Sequence, residues 1–237
     1  MHGVTFIYAL LAGLIPAFLW LFFWLREDRL HPEPRLLIFI AFLGGMLAVP
    51  LVLPFEQYVN SHITGRFSIL TSWAFIEEFA KYLLGFLLVL RQKAVDEPID
   101  PLMYMITIAI GFAALENTFF ILKPLIAGDT LRTIVTSDLR FIGATLLHVV
   151  SSAVIGVSMA LPFYRKGLTK GLSLMIGIII ATALHTAFNF YIMQDQGNSA
   201  FTVFLCVWAA VVILMLLFEE VKRVVPNGVI PTQNINI

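Results

Sequence analysis

The 237-residue chain has a single cysteine, Cys206, and charged residues make up only 13% of it. One cysteine excludes both a disulfide framework and a cysteine-rich zinc module. Fifteen basic and fifteen acidic residues cancel, so the basic excess that binds nucleic acid is missing. Internal repeats and low-complexity tracts are absent as well. What is present is apolar: 59% hydrophobic residues, twenty-one phenylalanines and a mean hydropathy of +0.92. Soluble domains run at about 45–50% apolar and about 25% charged. The composition describes a polytopic membrane protein with little mass outside the bilayer.

A run of about 20 apolar residues crosses a hydrocarbon core about 30 Å thick. Seven runs qualify, near 3–25, 36–55, 67–90, 102–122, 141–163, 172–193 and 201–218. They predict an all-α transmembrane bundle forming one membrane-embedded domain over residues 1–237. Turn residues such as Gly128-Asp129, Gly167 and Gly197-Asn198 mark the short connections. The first run lacks a basic leader and is too long for a secretory signal, which makes it a retained helix. Pro16 and Gly44-Gly45 are tolerable inside membrane helices if neighbours satisfy the freed backbone groups. In the longest connection, Leu131, Ile134, Val135 and Leu139 suit a short helix lying on the membrane surface.

Lysine and arginine set the orientation. Ten lie in one set of connections, Arg66, Lys123, Arg132 and Arg140 lie in the other, and Lys81 falls inside a run. This bias places the N-terminus outside and the C-terminus in the cytoplasm.

Six ionisable residues interrupt the apolar runs: Glu77, Glu78, Lys81, Glu116, His148 and His185. A charge at the bilayer centre costs about 2.5–3.5 kcal/mol on insertion scales. Such groups must face the protein interior, pair, or lose their charge. Their depths agree. Glu77 lies 11 residues after Arg66, Glu116 seven before Lys123, His148 eight after Arg140 and His185 nine before Gln194. At about 1.5 Å per residue these offsets correspond to roughly 10–17 Å below the outer surface. Four helices therefore bring a polar residue to one layer.

Local spacing adds detail. Lys81 follows Glu78 by three residues and Glu77 by four, so it can pair with either. The two glutamates diverge by about 100° around the helix, and both can border a cavity. His185 and Asn189 are four apart and share a face, where the amide could donate to an oxyanion or orient the ring. Glu116-Asn117 could equally join helices by hydrogen bonds. Ser151 and Ser152, one turn after His148, could serve as nucleophile or simply allow close helix packing.

These residues carry a family resemblance. The stretches Asp28-Arg29-Leu30-His31-Pro32-Glu33-Pro34, Phe75-Ile76-Glu77-Glu78-Phe79-Ala80-Lys81 and Gly111-Phe112-Ala113-Ala114-Leu115-Glu116-Asn117, then His148 and His185-Thr186-Ala187-Phe188-Asn189, resemble the PrsW family of intramembrane proteases. That family is related to the CAAX-protease and bacteriocin-processing superfamily. The resemblance covers roughly residues 5–195. It implies a bacterial or archaeal cell-membrane peptidase that cuts a membrane-anchored protein near its extracytoplasmic face, an anti-sigma factor in the best-known setting. Carried over by motif, Glu77 and Glu78 match the first superfamily motif, His148 the second, and His185 with Asn189 the third. Lys81 stands where the CAAX branch has Arg one position later, and Ala144 where that branch often has Phe. Both differences favour the PrsW branch over a prenyl-protein substrate.

Residue chemistry then suggests Glu77, polarised by Lys81 and helped by His148, as base toward a water. His185 and Asn189 would stabilise the oxyanion, Glu78 would orient the water, and Glu116 would brace the histidines, with Asn117 beside it. Glu77 or Glu78 with His148 and His185 could also present a zinc ligand set. No His-Glu-x-x-His helix is present, and Lys81 beside Glu77 would compete with a cation, so a cofactor-free mechanism is favoured. An ion- or proton-coupled transporter is the rival reading, since buried Glu, His and Lys serve transporters too. Transporters usually show internal repeats and helices broken near the site. The segments bearing Glu77, Glu116, His148 and His185 contain no proline near those residues.

Orientation is testable directly. In a Cys206→Ser background, a cysteine placed at Asn198 should react with an impermeant reagent in intact cells, and one at Asn234 should not. The opposite pattern would invert the layer deduced above.

Overall fold

The computed structural model describes residues 2–27, 32–194 and 200–226. All regular elements among them are helical: α1 His2–Leu25, α2 Arg35–His62, α3 Arg66–Leu88, α4 Asp100–Ile126, α5 Thr130–Leu139, α6 Thr145–Ala160, α7 Leu168–Gln194 and α8 Ala200–Lys222. The seven long helices correspond to the seven apolar runs. A short helix, α5, forms in the longest connection as expected, and Leu131, Ile134, Val135 and Leu139 are all exposed on it. A five-residue π-helical stretch, Arg140–Ala144, joins α5 to α6. The expected Gly197-Asn198 turn and most of the 28–34 motif lie outside the described residues.

Among the described residues, six spans are long and apolar enough to cross a membrane. α3 is also long, but Glu77, Glu78 and Lys81 interrupt its apolar character. Its neighbours cover the face that bears them, while Phe75, Phe79 and Leu83 of the same helix stay exposed. α2, α3, α7, α6 and α4 contact one another in sequence around a closed ring, with α1 packed outside α4 and α8 outside α6. α4 is enclosed over its first half, and every residue from 100 to 114 is buried. Such a helix must be apolar all round, and in this stretch only Asp100, Tyr104 and Thr107 are polar. Asp100 accepts the backbone N–H groups of Asp96 and Glu97 at the helix start. By contrast, α1 and α8 display Phe6, Ile7, Phe18, Phe22, Phe201, Leu205 and Leu216 outward, the surface a lipid solvent favours.

α2 outruns its expected end at residue 55 by seven residues. Pro50 and Pro54 lie within the helix, where each removes one backbone donor without ending it. The extra length brings Glu56 alongside the ring.

α2 and α4 touch backbone to backbone. A Cβ added at Gly45 would lie 2.0 Å from the Ile108 carbonyl oxygen, and one at Gly111 would lie 2.0 Å from that of Phe42. Small residues at such crossings let membrane helices approach closely. Gly128 and Gly167, at φ 72° and 69°, supply the left-handed turns after α4 and before α7.

Gly111→Ala should therefore destabilise the protein by at least the 1–3 kcal/mol typical of overpacking. Gly171→Ala, whose Cβ meets nothing within 4 Å, should not. Thermal unfolding of both variants in one detergent checks the difference. Equal midpoints would refute the crossing.

Candidate active site

The two adjacent glutamates of α3 have opposite surroundings. Glu78 is fully buried, and both its oxygens are engaged. Lys81 Nζ donates to its Oε1 at 2.7 Å, His185 Nδ1 lies 2.9 Å from the same oxygen, and Ser152 Oγ donates to Oε2 at 2.7 Å. Glu77, one residue earlier, has a buried Oε2 with no hydrogen-bond partner among the described residues. That oxygen lies 3.9 Å from His148 Nδ1 and 3.8 Å from His185 Nε2. Buried polar atoms are nearly always satisfied in native proteins, so an orphaned carboxylate oxygen between two imidazoles calls for an explanation.

The bonds orient both rings. An ammonium can only donate, so Lys81 Nζ, 3.0 Å from His148 Nδ1, makes that nitrogen an acceptor. The ring proton then sits on Nε2, 3.0 Å from Glu116 Oε2. His185 gives its Nδ1–H to Glu78 and turns Nε2 toward Glu77. The rings meet edge to face with centroids 5.0 Å apart. Lys81 also lies 4.4 Å from the centre of the Phe112 ring, which takes up part of its buried charge.

A cavity of about 430 Å³ opens beside this cluster. Glu77, Glu116, His148, His185 and Asn189 line it, together with Glu56 of α2 and Arg140. Glu78 and Lys81 stand behind the wall. Asn189 reaches the cavity one turn beyond His185 but makes no hydrogen bond to the cluster among the described residues. Asn117 turns away from the histidines, accepting from Arg140 Nε at 2.6 Å and donating to Thr145 Oγ1 at 3.0 Å. Arg140 Nη2 donates to Glu116.

Six of the residues expected from the sequence thus meet: Glu77, Glu78, Lys81, Glu116, His148 and His185. One pairing differs. Lys81 bonds Glu78 rather than Glu77, so the expected polarisation of Glu77 by direct contact is not seen. Neither serine lines the cavity. Ser152 donates to a carboxylate, and Ser151 Oγ is buried without a partner among the described residues, which leaves the nucleophile reading without a base. Glu56 and Arg140 were missed. Glu56 falls two residues past Pro54, where the apolar run ends, and Arg140 reads as an ordinary surface charge. The signal for Arg140 was Glu116 itself, a half-buried carboxylate that needs a cation other than the engaged Lys81.

A helix bundle of membrane-spanning length enclosing a carboxylate–imidazole cluster at a cavity defines the class: a multi-pass membrane protein built around a buried polar site. The family model described as PrsW family intramembrane metalloprotease matches residues 32–217, and the chain belongs to that family. The match takes in most of α8 and leaves out α1, a frame shifted toward the C-terminus from the 5–195 expected. Relatives named Protease PrsW include those of Shouchella clausii, 25% identical over 90% of this chain and 95% of the relative, and Oceanobacillus iheyensis, 24% identical over 92% and 97%. The Bacillus subtilis protein of that name is 27% identical over 76% of this chain and 80% of its own length. No solved structure matches the chain.

The contrast between the glutamates has a stability consequence. Glu78→Gln removes the counter-charge of a fully buried lysine, and breaking such a pair typically costs 3–5 kcal/mol. Glu77→Gln removes a charge that has no hydrogen bond at Oε2 and should leave the protein as stable or more so. Thermal midpoints measured side by side should separate widely, with Glu78→Gln the lower.

Proposed function

We propose that the chain hydrolyses a peptide bond of a membrane-anchored protein near its extracytoplasmic face, with an anti-sigma factor as the substrate type the family resemblance suggests. The observation that supports this most is the unbonded Glu77 oxygen, held between two oriented imidazoles at the wall of a cavity inside the bundle. A salt bridge serving stability alone would satisfy its oxygens, as Glu78 does.

The donor set fits a divalent metal. Glu77, His148 and His185 each offer a ligand atom, all within 4.8 Å of one another. The far nitrogen of each imidazole faces a carboxylate, Glu116 for His148 and Glu78 for His185, the supporting pattern that metal-bound histidines commonly show. Lys81 pairs with Glu78 rather than Glu77, but it also donates to His148 Nδ1 at 3.0 Å, so an ion taking that nitrogen would displace the second of these bonds. This geometry, with the family's description, favours a metal over the cofactor-free mechanism expected from the sequence. When bound, the ion would lower the pKa of an attacking water and polarise the scissile carbonyl.

The chain's own residues carry out the other roles. Glu77, whose Oε2 makes no hydrogen bond among the described residues, takes the water's proton. Glu78, itself anchored by Lys81 and Ser152, holds His185 in the tautomer that points Nε2 inward. Asn189, on the cavity wall one turn from His185, donates to the oxyanion as the carbonyl becomes tetrahedral. The apolar walls, including Val49, Val52, Phe112 and Phe188, limit the water that reaches the site.

Purified protein should contain about one equivalent of a transition metal by elemental analysis, and a chelator should stop cleavage of a membrane-anchored reporter. Glu77→Gln, His148→Ala and His185→Ala should each abolish cleavage, while Asn189→Ala should lose roughly 10²–10³-fold, the typical worth of an oxyanion donor. Metal-free protein with full activity would remove the ion and leave Glu77 as a simple base. Activity surviving in all four variants would refute the protease site.

A further inference from the structure

We propose that Arg140 is a positioning residue for His148, acting through Glu116 and held in place by Asn117 and the π-helical turn that bears it. The inference rests on the reading of His148 as a functional residue of the site above.

The geometry forms a closed clamp. In the π-helical stretch, the backbone N–H of Thr145 bonds the Arg140 carbonyl, five residues back, and Thr145 Oγ1 donates to the same oxygen at 3.0 Å. Asn117 Nδ2 donates to Thr145 Oγ1 at 3.0 Å, while Asn117 Oδ1 accepts from Arg140 Nε at 2.6 Å. Backbone and side chain of Arg140 are thereby tied to one asparagine. The guanidinium lies 3.9 Å from the Phe120 ring centre, which restricts it further. From this position Nη2 donates to Glu116 Oε2, the same oxygen that receives His148 Nε2. A carboxylate pinned by an arginine remains an acceptor, so the imidazole proton stays on Nε2 and Nδ1 faces Glu77.

π-helical turns concentrate at functional sites. Here the turn connects the short helix α5 to α6, the helix that carries His148. The side chains of Arg140 and Glu116 are only 16% and 20% exposed, so this is no freely swinging surface pair. Asn117, which the sequence placed in a supporting role without a partner, acquires one: it supports the arginine rather than either histidine.

The test is a double-mutant cycle on Arg140→Ala and Glu116→Gln, read in kcat and KM with a membrane-anchored reporter and in the dissociation constant for Co²⁺. Each single variant should lower kcat and weaken cobalt binding by about 10–100-fold, the usual effect of removing a partner of a site histidine, with KM little changed. Because both act on one oxygen, the double variant should be no worse than the more damaging single one. Arg140→Lys keeps the charge without the fork and should recover part of kcat. Asn117→Ala, which frees the guanidinium, should show a milder loss of the same kind. If Arg140→Ala fails to fold, Arg140→Lys and Asn117→Ala run the same cycle with Glu116→Gln. Additive losses, an unchanged kcat, or a fall in thermal midpoint that accounts for the whole loss would overturn the inference. Wild-type protein that binds no cobalt would remove the metal and leave the kcat cycle decisive. Full activity in His148→Ala would sink the proposed function and this inference with it, whereas a dead His148→Ala beside additive cycle effects would sink the inference alone.

Discussion

The bond between Lys81 and Glu78 is the constraint around which the rest of the site is arranged. An ammonium with no solvent exposure inside an apolar bundle must have an anion at contact distance, and Glu78 provides it at 2.7 Å. Once engaged, Glu78 gathers Ser152 of α6 and His185 of α7 onto its remaining lone pairs. Three helices are thereby fixed against one another by one carboxylate. The neighbouring Glu77 retains an unbonded oxygen because its twin has taken the lysine.

Charge balance extends this logic to the cavity. The cluster contains three carboxylates, Glu77, Glu78 and Glu116, but two fixed cations, Lys81 and Arg140. Glu78 pairs with the lysine and Glu116 with the arginine. Glu77 is the unmatched anion, facing two imidazole nitrogens that carry no proton toward it. A site one positive charge short, with neutral donors converging, suits either a bound cation or a proton. The proposed metal and the proposed base are thus two uses of one electrostatic deficit, and Glu56 on the cavity wall increases it.

The fold makes this arrangement affordable by enclosing it. α4 gives up every outward-facing position over its first half, and its glycine contact with α2 draws the ring closed. Behind that wall the polar residues of α3, α4, α6 and α7 see one another instead of lipid. The π-helical turn after α5 adds a local change in backbone register, and with it an arginine that reaches inward from the end of a connection.

The sequence by itself determined the class of protein and the membership of the cluster. Seven apolar runs can be satisfied in a bilayer only as helices, since each backbone donor must find its acceptor within its own segment. Ionisable residues inside such runs have nowhere to go but the bundle interior, which is why Glu77, Glu78, Lys81, Glu116, His148 and His185 were all legible from their cost. Helical spacing also left Lys81 able to reach either glutamate, and there it stopped. The choice of Glu78 depended on Ser152 and His185 arriving from α6 and α7, a meeting that no spacing along α3 encodes. Glu56 and Arg140 were hidden for a related reason. Each lies at the end of an apolar run, where a charge is ordinarily solvated, and only the prolonged α2 and the π-helical turn carry them inward. Local periodicity records which face of a helix a residue occupies, but pairing among buried charges is settled by which helices pack together.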